Sequence, residues 1–134
     1  MSQENVELSR RAVDAFNRRD LDAFLALMDP DVVFTTLVLG LEGGGPDRGH
    51  KGIRRWWERL FGVFPDFTSE IEEIRDLGDV TVMRVRQRGQ GIESDAPTDQ
   101  MAWLVTETGP NKTAVWWGAF QTEAEALEAA GLSE

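Results

Sequence analysis

Two spacings of apolar residues divide this chain, one helical and one strand-like. The clearest helical stretch is Arg48–Phe67, where Ile53, Trp56, Trp57, Leu60, Phe61 and Phe64 fall on one stripe. Arg54, Arg55, Glu58 and Arg59 fill most of the other positions. Gly49 and Gly52 mark its start and Pro65 its end, because proline disfavours helix for the residue before it. Upstream, Ser2–Arg19 carries a partial apolar face through Val6, Ala12, Val13 and Phe16 and reads as a helix. Asp20 is placed to cap a second, short helix over Leu21–Met28, with Phe24, Leu25 and Met28 turned inward, and Asp29-Pro30-Asp31 stops it. Val32–Leu39, apolar and β-branched, reads as a strand, and Gly40–Asp47 as a loop.

After Pro65 the spacing falls to two. Phe67–Leu77 alternates weakly and ends at the turn signal Gly78-Asp79. Val80–Gln90 alternates cleanly: Val80, Val82, Arg84, Arg86 and Arg88 share one face, Thr81, Met83, Val85 and Gln87 the other. A turn over Gly91–Ala96 leads into Pro97–Thr108, with Asp99, Met101, Trp103 and Val105 on one face. Gly109-Pro110-Asn111 turns the chain into a last strand, Lys112–Phe120, which sets Val115 and Trp117 opposite to Trp116 and Phe120. Thr122 to Glu125 spells a capping box for a helix over Glu123–Ala130, closed by Gly131. Helices and strands that come in runs predict an α+β fold, here an antiparallel meander of four strands with helices over one face. The aromatic stripe of the long helix then has a sheet to lie on.

Composition narrows the chemistry. At 134 residues the chain is expected to be one domain, 1–134, large enough for a core without staples. Cysteine is absent, which excludes disulfides, thiolate zinc sites and cysteine nucleophiles; tyrosine is absent too, which removes a common general acid. A charge of −10, from 24 acidic against 14 basic residues, repels phosphate backbones and anionic lipid. Neither nucleic acid nor membrane is therefore an expected partner. No apolar run has the length of a membrane span and the first residues are too polar for a signal peptide, so the expected location is the cytoplasm. Nothing in the sequence calls for a metal or a cofactor.

Three phrases carry a family likeness: VELSRRAVDAFNRRDLDAFLALMDPDVVF, RGHKGIRRWWERLF and EAEALEAAGL. They resemble the nuclear-transport-factor-2-like superfamily, in its SnoaL-like branch of polyketide-cyclase and ketosteroid-isomerase relatives, over nearly the whole chain. The resemblance implies a curved antiparallel sheet wrapped by three to four helices into an open cone. It also implies a small apolar molecule in the cone mouth and, often, a homodimer through the outer sheet face. The same cone hosts isomerases, cyclases, epoxide hydrolases, dehydratases and non-catalytic subunits, so the fold alone selects no reaction.

Matched position by position, the isomerase pattern is incomplete. Its tyrosine donor falls on Ala12 and its carboxylate base on Thr35, and only its later acid is kept, as Asp99 in PTDQM. A threonine cannot serve as that base at neutral pH. The epoxide-hydrolase pattern finds Arg84 and Arg86 where it has an arginine and an acid, and Gly118 where it has its second acid. The dehydratase pattern needs a His–Asp pair, for which His50 is the only histidine.

Each group that remains has two readings. Asp99, expected close to Arg86 or Arg88 across the hairpin, is either an acid in an apolar cone beside Met101 and Trp103 or, the favoured reading, a cross-strand ion pair with Arg88. A paired carboxylate is a poor proton donor at neutral pH. His50 is a possible base or a group bonding nearby backbone. Arg84, Arg86 and Arg88 would clamp an anion if their face is concave, and would be solvated or paired with the acidic strand if it is not. Trp57, or Trp56, with Trp103 and Trp116 would line a pocket; Trp117, facing the other way, suits a dimer contact. The expected function is binding of a small apolar or weakly anionic molecule, in a pocket with Thr35, Trp57, Arg84, Arg86, Met101, Trp103 and Trp116. The alternative is an enzyme of the cyclase, isomerase or epoxide-hydrolase kind using Asp99 with His50.

Overall fold

The computed structural model describes residues 2–35, 47–90 and 97–131. In chain order the elements are α1 (Ser2–Asn17), α2 (Leu21–Ala26), β1 (Met28–Thr35), β2 (Asp47–Arg48) and α3 (Gly49–Val63). They are followed by β3 (Thr68–Asp76), β4 (Val80–Gln90), β5 (Pro97–Thr108), β6 (Ala114–Phe120) and α4 (Glu123–Ala129). The expected turn at Gly91–Ala96, the loop over 40–46 and the strand residues 36–39 lie outside the described residues.

The meander forms as its alternation predicts. β3, β4, β5 and β6 pair antiparallel in sequence order, within a curved, open sheet ordered β2-β1-β6-β5-β4-β3. β1 adds to β6 in parallel, so the sheet is mixed. Two local expectations change. The second helix ends at Ala26, and Met28 already belongs to β1 through pairing with Ala114. Asp29-Pro30-Asp31 does not stop an element; it interrupts the β1–β6 ladder between Met28 and Val33, where proline has no N–H to give. The two-residue strand β2, which pairs Asp47 and Arg48 with Phe34 and Val33, has no apolar pattern to betray it.

β3 shows why its alternation looked weak. Ile71 and Ile74 are three apart, a spacing that a regular strand would split between faces. A bulge between Ile71 and Glu73 lets them pair with Val85 and Met83 respectively, on one face, and leaves Glu72 and Glu73 together opposite Arg84.

The helices choose one side of the sheet. The inner face of β4, Thr81, Met83, Val85 and Gln87, is buried throughout, while Arg84, Arg86 and Arg88 of the other face are not. On α3 the stripe reads true: Ile53, Trp56, Trp57 and Leu60 are buried, and Phe61 and Phe64 pack at the margin. Each such side chain contributes about 1.5–3 kcal/mol by leaving water. α1 is fastened to the edge strand β3 by Asn17, whose amide donates to the Ser69 carbonyl (2.8 Å) and accepts from the Ser69 N–H (2.9 Å). Arg19, at φ 62°, bonds the carbonyls of Phe16 and Pro65 and lies 3.9 Å over the Phe61 ring, clamping the end of α1 to the end of α3.

α4 alone packs on the outer face. Thr122 caps it by accepting from the Glu125 N–H at 3.1 Å, as the capping box requires, and Ala126 is buried against Val82 and Val105. Arg75 ties the helix to β3 through Glu123.

Candidate functional site

Between the helices and the inner sheet face is an apolar basket. α1 contributes Val13 and Phe16, α2 Phe24, and α3 Trp56; the sheet contributes Phe34, Leu104, Trp117 and Ala119. Phe67, just before β3, closes one side, pressed against Gly89, whose missing Cβ would come within 3.1 Å of its ring. The aromatic walls pack edge-on and offset, with Phe34 at 4.6 Å from Trp56 and 5.9 Å from Trp117. The space that admits the centre of a water molecule is about 30 Å³. One water needs about 10–15 Å³ by that measure, so the basket as it stands has room for no more than a guest of one or two water volumes, and a larger one requires the rings to turn.

Its polar lining is sparse and neutral. Ser69 and Gln87 are the polar residues among the lining, and Gln87 Oε1 accepts from Gln100 Nε2 at 3.2 Å. Trp56 adds an indole N–H that is buried and has no acceptor among the described residues. No acid, histidine, lysine or arginine lines the basket among the described residues.

The expected site residues are mostly elsewhere. The β4–β5 register sets Arg88 opposite Asp99, Arg86 opposite Met101 and Arg84 opposite Trp103, all on the outer face. The shared face inferred from alternation is right, and its direction is the reverse of a pocket. Three guanidinium groups could not be packed beneath the helices without partners, whereas Met83, Val85 and Gln87 could. Asp99 holds Arg86 by a two-pronged bond at 2.8 and 2.9 Å, with Arg88 a further 3.9 Å contact. The bond from Arg86 keeps the Asp99 carboxyl below its usual range and keeps Arg86 firmly protonated, although both are exposed.

β6 repeats the reversal. Trp117 is the buried cavity tryptophan, and Trp116 lies on the outer face, its ring folded with Phe120 over Gly118. Gly118 is required by space: a Cβ there would lie 2.4 Å from the Trp116 ring. Thr35, on β1, has the parity of Val33 and not of buried Phe34, so it too faces away from the basket. Trp57 is buried one ring behind, edge-on to Phe16 and against Phe24. His50 Nε2 donates to the Met28 carbonyl at 3.0 Å, which ties the start of α3 to the start of β1, and it does not line the basket. Of the lining residues only Trp56 was among those expected in a pocket; the rest, Trp117 included, were not. No sequence signal separates them from ordinary core, since alternation does not say which face is inside.

No group of histidines and acids that could hold a metal occurs among the described residues, and no described helix is long and apolar enough to cross a membrane.

A curved open sheet with three helices across one face and a basket between them defines an NTF2-like α+β protein. A SnoaL-like domain model matches residues 9–125, and the chain belongs to that family. Similar solved structures include an NTF2-like protein of unknown function from Burkholderia pseudomallei, 23% identical over 93% of this chain and 95% of that one, with a TM-score of 0.79. Another is IdmH, a candidate polyketide cyclase from Streptomyces antibioticus, 23% identical over 94% and 97%, with a TM-score of 0.75. A third, from Catenulispora acidiphila, has a ketosteroid-isomerase-like fold and was crystallised with trimethylamine; it is 15% identical over 94% and 93%, with a TM-score of 0.76. None of the curated proteins matches the chain.

Proposed function

We propose that this protein binds a small, neutral, largely apolar molecule in the basket beneath α3, and that Asp99 takes no part in holding it. The observation that carries this reading is the lining: aromatic and aliphatic walls with a serine hydroxyl, an amide and an indole N–H. An anionic ligand finds no cation there, since Arg84, Arg86 and Arg88 lie on the opposite face. A proton-transfer enzyme needs a titratable group within hydrogen-bond reach of its substrate. Asp99 is bound to Arg86, and His50 is bound to backbone. A relative of the same fold has been crystallised with a small organic molecule, trimethylamine, which is a precedent for a small guest.

Thermal unfolding with a panel of neutral one- and two-ring compounds tests the reading on the wild type and on Asp99→Asn. A ligand at a hundredfold excess over its Kd adds about 2.7 kcal/mol to stability. The expected result is the same rise in Tm for both proteins. Stabilisation that disappears in Asp99→Asn would overturn it.

The outer face suits a second copy of the chain. It presents Met101, Trp103 and Trp116 half-buried beside charges of both signs, Arg84, Arg86 and Arg88 with Glu72, Glu73 and Asp99. Trp116, in place of Trp117, is then the dimer tryptophan. Sedimentation should show a dimer that Met101→Asp shifts to monomer; a wild-type monomer at micromolar concentration would contradict this.

A further inference from the structure

While α3 turns its apolar stripe into the core, its outer side carries a stripe of another kind. The exposed side chains from Arg48 to Arg59 are Arg48, Lys51, Arg54, Arg55, Glu58 and Arg59. Five of the chain's 14 basic residues are thus gathered beside one of its 24 acids, on a protein of charge −10. Arg59 meets Asp47 at 3.4 Å. Arg48, Lys51, Arg54 and Arg55 make no ion pair among the described residues, and neither does Glu58.

The fold has no use for this arrangement. Lys51, Arg55 and Arg59 stand four apart in turn, where like charges repel along a helix. Arg48 and Lys51 lie at the helix start, where the dipole favours acids, and the first turn holds no acid. A face that only had to be solvated would be served as well by charges of matched sign. Gly62, seven residues after Arg55 and on the same side, has open space where a Cβ would sit and no positive φ. Neither packing nor backbone requires glycine there, and its bare backbone lets another chain come close beside exposed Val63.

We infer that the outer face of α3 is a docking surface for an acidic segment of another protein, with carboxylates laid along Lys51, Arg54 and Arg55. Arginine receives a carboxylate with two parallel hydrogen bonds. Lys51 to Arg59 spans about 12 Å at the helical rise, the reach of three or four extended residues of a partner. The acidic remainder of the surface repels the same segment and so confines it to this face. Single-stranded nucleic acid is disfavoured, because it is held by aromatic rings on which bases stack. The tryptophans of α3 are buried, and Val63 and Leu77 are the large exposed hydrophobics among the described residues. A membrane surface is disfavoured as well, since the apolar stripe that would enter it is already in the core.

The test is fluorescence anisotropy with fluorescein-labelled octaglutamate, titrated with the full chain in about 0.1 M salt. Screening over about 10 Å then leaves the stripe effective and removes most of the repulsion from distant acids. Wild type should bind, and Arg55→Glu should weaken binding about tenfold. Arg11→Glu makes the same change of net charge on α1 and should leave the affinity near that of wild type. Arg55→Glu should also raise Tm, since it removes the repulsion from Lys51 and Arg59. A variant that folds better and binds worse separates docking from stability. The inference is overturned if wild type does not bind, or if both variants lose affinity equally. It is overturned too if Arg55→Glu lowers Tm, which would make the stripe part of the fold's own support. Tighter binding of a thymidylate nonamer, with the same number of phosphates as the peptide has glutamates, would replace the protein partner with nucleic acid.

Discussion

Two side chains show how little at the residue scale follows from type alone. Asp99 has the composition of an active-site acid and the position of a surface ion pair. Because its native pKa is lowered, its contribution to stability is present above the ordinary aspartate range and is lost as pH falls through the lowered native value. A carboxyl-detected NMR titration should therefore find Asp99 ionised where exposed aspartates already protonate, and Arg86→Gln should raise it toward the ordinary range, with Arg88 still holding it down. Arg19 is the opposite case, a residue with no motif whose contacts are structural. Burial lowers its pKa, the nearby Asp66 charge opposes this, and its backbone sits at φ 62°. Arg19→Ala loses the clamp and keeps the strained backbone. Arg19→Gly loses the clamp and relieves the strain. Chemical denaturation should find the glycine variant more stable than the alanine variant by about 1 kcal/mol. Equal stabilities would mean that the left-handed conformation costs nothing here.

At the scale of elements, helices and strands were legible where one period ran unbroken. α3 was readable because its stripe is long and its flanks are glycine and proline; β4 matches its expected bounds, Val80–Gln90, because alternation and turns agree. The failures have one physical origin, which is that alternation gives two faces and does not say which is inside. Met101, Trp103 and Trp116, expected in the pocket, lie on the outer face, since tryptophans weigh toward a core and here also serve that face; Asp99 lies there in the favoured ion pair, with Arg86 and not Arg88 as its main partner. β2 and the Met28 start of β1 depend on pairing with distant residues, which a local pattern does not contain. Gly118 is a further element-level constraint. With space and not φ as the reason for glycine, Gly118→Ala should force the Trp116 ring away from Phe120 and cost about 1–3 kcal/mol. Thermal unfolding together with near-ultraviolet circular dichroism checks it; an unchanged Tm with an unchanged aromatic spectrum would refute the ring-over-glycine packing.

For the whole molecule, the division of labour between the two sheet faces is the central claim. The face beneath the helices is aromatic, neutral and cavity-bearing. The face beneath α4 carries the arginine ladder, its acids and two half-buried tryptophans. The family phrases made the fold legible, and the absent tyrosine and first-strand acid made the isomerase chemistry doubtful from the sequence alone. The location of the site was not legible, because it depends on which face the helices cover. The tryptophans are natural reporters, since Trp56, Trp57 and Trp117 belong to the inner face and Trp103 and Trp116 to the outer. The direct measurement is the set of five indole N–H signals, assigned by single Trp→Phe variants, followed as the strongest stabilising ligand is added. Binding in the basket predicts that the Trp56 and Trp117 signals move and those of Trp103 and Trp116 stay. Movement confined to Trp103 and Trp116 would place the site on the arginine face and contradict the account.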